Sequence, residues 1–201
     1  MTQPDEYTAE NICGALGIGG FDNLPPANAV RILFLPSFHP EVCITIHASG
    51  SESTVHLIGF VKESLWGSGG SGKLQIHERS VAITFTDFTQ YWAVIQKLTE
   101  INFEDRGFAC LDGMQTSCLL IIDGRKKIVK GNVGVEEVTN KVSKATVRLA
   151  WQYLHDELSC EMLRNIAFYL DEILPDKEIL ASGPTKQTLK IVVLDSSNEA
   201  Q

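Results

Sequence analysis

The chain has 201 residues, 44% hydrophobic and 21% charged, which is the make-up of a globular domain with a sizeable core and excludes a disordered or low-complexity polymer. Its 25 acidic residues outnumber 17 basic ones, and the formal net charge of -8 argues against nucleic acid, whose affinity rests on Lys and Arg neutralising phosphates. No apolar run reaches the roughly 18–20 residues that cross a bilayer, so no membrane association is expected.

Met1–Glu6 has neither the basic nor the apolar region of a secretory signal, and none is expected. Five cysteines (Cys13, Cys43, Cys110, Cys118 and Cys160) form an odd set without a CxxC pair. Buried thiols in a reducing cytoplasm give that pattern, so the chain is expected to be cytoplasmic.

Residues 1–29 are rich in Gly, Pro, Asn and Ala and read as a loosely ordered lead-in, with a short helical turn near Ala9–Leu16. Val30–Leu35 is an apolar run stopped by Pro36. Val42–His47 alternates apolar and polar, Ser49–Ser51 marks a turn, and Thr54–Lys62 follows, so the two runs predict a hairpin.

The next segment, Gly67–Lys73, reads GSGGSGK and invites comparison with a phosphate-binding loop. Such a loop needs a helix behind it and a hydroxyl after the lysine. Here Leu74 takes the hydroxyl position and Leu74–Glu78 alternates as a strand does. The segment is therefore a connector between antiparallel strands. Val81–Phe85 either continues that strand or forms its own.

Asp87 and Gln90 resemble a capping box, and Phe88, Tyr91, Trp92, Ile95 and Leu98 then recur at helical spacing. Asp112-Gly113 predicts a turn. Asp123-Gly124 between Ser117–Ile122 and Lys127–Lys130 predicts a tight hairpin, because both residues tolerate positive φ. From Val138 to Ile173 the helical pattern is one bent helix or two, with Ser159 as a candidate cap for the second. Leu189–Leu194 reads as a last strand. The sum is a single α+β domain over residues 30–195, a mainly antiparallel sheet with two to three helices on one face, and a polar tail at 196–201.

His47, His56 and His77 lie on neighbouring predicted strands, each pointing away from apolar neighbours. On one face they would leave a zinc-bound water position open, the requirement of a metal-dependent hydrolase. His39, in Phe38-His39-Pro40, is expected to shape a turn. Asp112 and Asp123 precede glycines and are expected in turns too. Trp92 and Trp151 fall on apolar helix stripes, whereas Trp66 beside the glycine-rich segment is a candidate partner contact. Arg125, in the basic run Arg125-Lys126-Lys127, and Asp123 form a second candidate contact at the hairpin tip.

The order of Arg31–Pro40 with its FHP element, the Gly69-Gly70 loop, Leu111-Asp112-Gly113 and Ile128-Val129 resembles a group of small uncharacterised bacterial α+β proteins, over residues 30–155. Thr116 and Ser117 stand where that group carries an aromatic. In layout the chain is also similar to immunity proteins, which neutralise toxins by covering them. The resemblance supplies no catalytic residues, and no cofactor is expected. The expected function is non-enzymatic binding of another protein, in the form of an immunity-type antagonist, with a basic partner favoured by the acidic balance. The three-histidine hydrolase is the alternative.

Overall fold

The computed structural model describes residues 8–24, 28–65, 72–99, 113–132, 137–177 and 188–194. In chain order the elements are α1 (Ala9–Leu16), β1 (Ala29–Pro36), β2 (Val42–Ser49), β3 (Glu52–Val61), β4 (Gly72–Ile83), α2 (Phe85–Thr99), β5 (Met114–Ile122), β6 (Arg125–Asn132), α3 (Glu137–Tyr153), α4 (Glu157–Tyr169) and β7 (Thr188–Leu194). The strands form one sheet in the order β6-β5-β1-β2-β3-β4-β7, and every neighbouring pair is antiparallel. This is an α+β fold.

Because successive strand residues point to opposite faces, the register sorts the sheet into two cores. On the first face Val30, Ile32, Ile44 and Leu57 meet Trp92 and Ile95 of α2, Val147 and Ala150 of α3, and Leu163 and Ile166 of α4. Three helices thus share one face, as the sequence pattern predicts. Both apolar-stripe tryptophans are buried there.

The second face carries Leu33, Cys43, Ile58, Phe60, Ile76 and Leu119, and α1 covers it with Ile12, Cys13 and Leu16. Residues 8–24 form this packed layer, with α1 at the Ala9–Leu16 turn expected from the sequence; residues 1–7 and 25–27 lie outside the described residues. Glu10 accepts a hydrogen bond from the Phe21 amide at 3.0 Å, folding the segment back on itself. Arg31, 6% exposed, donates to the carbonyls of Gly20 and Phe21 at 3.1 Å each and to Thr45 Oγ1 at 3.1 Å. A buried guanidinium is tolerable because carbonyls satisfy it.

Local chemistry explains three boundaries. The β5–β6 turn has Asp123 at φ 49° and Gly124 at φ 75°, the left-handed pair that a two-residue hairpin demands. Helix α2 begins at Phe85, before the expected Asp87. Thr84 Oγ1 accepts from the Asp87 amide at 3.1 Å and donates to the Asp87 carboxylate at 2.7 Å, so Asp87 is the partner of the cap and not the cap. The C-terminal helical pattern is two helices, and Asp156, not Ser159, caps the second, accepting from the Ser159 amide at 2.9 Å. Lys73 is the second residue of β4 and pairs with Val193 of β7, so it does not stand at a helix terminus, while residues 67–71 of the glycine-rich segment lie outside the described residues. Among the described residues no helix is long and apolar enough to cross a membrane.

Candidate binding site

The β1–β2 corner, the start of β5 and the end of β3 all lie at one end of the sheet, since Pro36 pairs with Met114 and Val42 with Gly59. The FHP element is anchored there from two directions. Ser37 Oγ donates to the Gly113 carbonyl at 2.8 Å and accepts from the Gly113 amide at 3.0 Å, joining the element to the residue just before β5. Tyr169, at the end of α4, places its hydroxyl 3.0 Å from His39 Nδ1 and accepts from the Phe38 amide at 3.2 Å. The His39 and Tyr169 rings meet edge to face, with centroids 5.6 Å apart. His39 thus shapes a turn, as expected.

The facing wall is the chain leaving β3. Glu41 is fully buried, accepts from the Leu65 amide at 2.9 Å through Oε2, and receives the Phe60 amide at 3.1 Å on its own carbonyl. Lys62 holds φ 72°, a left-handed conformation that costs a side-chain-bearing residue about 1 kcal/mol or more. Phe38, His39, Pro40, Lys62, Glu63 and Ser64 line a cleft of about 370 Å³.

Two aromatic side chains flank this corner and point to solvent. Phe38 is 74% exposed and Phe168 77% exposed, and Phe168 packs edge to face on Tyr169 with centroids 5.5 Å apart. Exposed phenylalanines on a backbone fixed by side-chain hydrogen bonds fit recognition better than core packing. Sequence reading found the FHP element but missed Phe168 and Tyr169. Phe168 breaks the inward helical stripe, and that break was the available signal.

The other candidates are dispersed. Asp123 and Arg125 are exposed at the opposite end of the sheet, beside Ala29, where the Asp123 amide donates to Asn28 Oδ1 at 3.1 Å. Nine β5 residues separate the two ends, about 25 Å at strand rise. Trp66 and Asp112 lie outside the described residues.

The three histidines do not converge. Register places His47 and His56 on the second face with Thr54 and Glu78, and His77 on the first, opposite Gly59. A shared face required Leu74 and Ile76 to lie on the side of Ile44 and Leu57, whereas both belong to the core beneath α1. His56 Nε2 lies 3.1 Å from Glu78 Oε1, and His47 Nε2 3.3 Å from Thr54 Oγ1. Partial burial, then the neighbouring His56, lower the His47 pKa. Among the described residues no group of three metal-ligating side chains is assembled.

His77 instead joins a buried polar cluster under α4, with its Nε2 2.9 Å from Ser159 Oγ and 3.0 Å from Asp156 Oδ1. Burial works to raise the Asp156 pKa. Hydrogen bonds from His77 and from the Ser159 amide and hydroxyl outweigh it and hold the carboxyl well below its usual range. Serine, histidine and aspartate together suggest a nucleophilic triad, but there the acid and the hydroxyl use different ring nitrogens. Here both converge on one nitrogen, and His77 and Ser159 are fully buried. The cluster secures α4.

A second cleft, of about 410 Å³, is bordered by Arg148, Trp151, His155 and Lys177. Its cations are engaged internally. Arg148 forms a two-point pair with Glu172 at 2.7 and 3.0 Å, and the Lys177 ammonium lies over the Trp151 ring and donates to the Trp151 and Leu154 carbonyls. The FHP corner is the better candidate. Comparison of the chain with protein-family models, with curated proteins and with solved structures finds no match.

Proposed function

We propose that this chain works in the cytoplasm by binding a basic protein through the Phe38–His39–Pro40 corner, as an antagonist that covers its partner. The observation that carries the reading is the pair Phe38 and Phe168, each about three-quarters exposed and each next in the chain to a member of the His39–Tyr169 contact. The charge supports the choice of partner. Glu157, Glu161 and Asp171 are exposed on and just beyond α4, Glu63 borders the cleft, and the whole chain carries -8. Acidic rims steer basic partners and set the on-rate, while buried aromatic anchors set the residence time.

The test is affinity capture at low and at raised salt, with wild type compared against Phe38→Ser/Phe168→Ser. Both side chains are exposed, so the variant keeps its Tm. The expected result is a basic protein captured by wild type, more weakly at high salt, and lost from the double variant. Equal recovery by both would refute this site.

A further inference from the structure

We propose that the outer edge of β6 is a second binding site, which takes an acidic extended segment of a partner protein as an eighth strand of the sheet. Strand β6 ends the strand order, and among the described residues no strand lies beyond it. An edge strand leaves alternate amides and carbonyls open to pairing. Which residues those are follows from the hairpin. The two-residue loop, with Asp123 and Gly124 both left-handed, makes Ile122 and Arg125 a hydrogen-bonded pair. Bonded positions then alternate along the ladder. Arg125, Lys127 and Val129 therefore bond inward to β5, and Lys126, Ile128 and Lys130 turn their backbone groups outward.

The same three residues share a face. Lys126 lies opposite Ile121 and Ile128 opposite Leu119, both of the core beneath α1, so Lys126, Ile128 and Lys130 project on that side. All three are exposed, Ile128 at 45%. The edge thus presents an apolar side chain between two ammonium groups. Four of the eight β6 residues are Lys or Arg, on a chain whose net charge is -8. Lys126 touches the exposed Asp22 carboxylate, a surface pair of little worth, and among the described residues Arg125 and Lys130 have no ion-pair partner.

Charge selects the occupant. A second copy does not fit, since antiparallel pairing about Ile128 sets Lys126 of one copy opposite Lys130 of the other, and like charges directly opposite destabilise. A segment that alternates acidic and apolar residues does fit. Its carboxylates stand opposite Lys126 and Lys130, its apolar side chain covers Ile128, and the backbone bonds supply affinity. The apolar middle position and the strand-spaced backbone groups suit a polypeptide better than a nucleic acid. The site shares no residue with the Phe38 corner.

Fluorescence anisotropy at low salt, with the full chain and a labelled Thr-Glu-Thr-Val-Thr-Glu-Thr peptide, tests the site. The peptide is expected to bind, and its counterpart with Lys in place of Glu to bind about tenfold more weakly or not at all. N-methylation of the valine and both glutamates keeps the charge, blocks the backbone bonds and is expected to abolish binding. Lys126→Glu/Lys130→Glu should reverse the preference, taking the lysine peptide over the glutamate one, with Tm close to wild type. Should that variant not fold, the N-methyl comparison on the wild-type chain decides. No binding of the glutamate peptide, equal binding of its N-methylated form, or its displacement by an equal concentration of oligodeoxythymidine overturns the proposal and leaves the lysines as guards against strand pairing.

Discussion

At Asp156 one carboxylate serves two purposes: it caps α4 through the Ser159 amide at 2.9 Å and partners buried His77 at 3.0 Å. Removing it loses a helix cap, about 0.5–2 kcal/mol. It also strands a buried polar group, about 1–3 kcal/mol. Asp156→Ala is therefore expected to cost about 2–4 kcal/mol in urea denaturation at neutral pH. The pH dependence has a definite sign. The folded carboxyl titrates below its unfolded value of about 3.9, so its contribution is complete above that pH and fades as pH falls further. The stability gap between wild type and Asp156→Asn should accordingly narrow below about pH 4 and stay level between about pH 5 and 7. A gap that widens in acid would show that the carboxylate is not held in its charged form.

Among elements, the docking of α4 on β3 depends on one missing side chain. A Cβ built on Gly59 would lie 3.0 Å from the Glu41 carbonyl oxygen, 3.1 Å from Val42 Cγ2 and 3.2 Å from Met162 Sδ. Gly59→Val is expected to destabilise by about 1–3 kcal/mol, the cost of overpacking a filled core. Met162→Ala in the same chain should recover only part of that, because the carbonyl contact is backbone and cannot retreat. Full recovery would mean the methionine alone limits the space. The hairpin tip gives a contrasting case. A Cβ at Gly124 meets no atom within 4 Å, but Gly124→Ala must adopt φ 75°, so a loss of about 1–2 kcal/mol is expected by the same denaturation assay, whereas Asp123→Asn should be neutral.

These elements also mark what could be read from the chain alone. The Asp123-Gly124 hairpin and the β2–β3 pair were legible because turn chemistry and alternation act over a few residues. The two-sided burial of β4 was not. Leu74, Ile76 and His77 are all buried, so alternation there does not tell core from solvent, and the inference about His77 inverted with it. The FHP corner was half legible. Phe38 and His39 stood out between prolines, but their partner Tyr169 lies 130 residues away, a distance only the folded chain closes.

For the whole molecule, the question is whether a sheet with two cores folds as one unit. The face under α1 includes Leu33, Ile58, Phe60, Ile76 and Leu119, each no more than 1% exposed. At about 1.5–3 kcal/mol for each large apolar side chain withdrawn from water, exposing even half of this set rivals the 5–15 kcal/mol that holds a domain together. Arg31 adds to the effect, since without Gly20 and Phe21 its guanidinium loses two of its carbonyl acceptors. Removal of residues 1–24 is therefore expected to abolish cooperative unfolding and leave a state that binds the dye ANS, although every strand and the three helices of the other face remain. Arg31→Met in the intact chain separates the two causes: it keeps the cover and removes the charge, and should unfold cooperatively with reduced stability. If the truncated chain still unfolds in one sharp transition without binding dye, then α1 is an accessory to the fold, and the helices on the first face sustain the sheet by themselves.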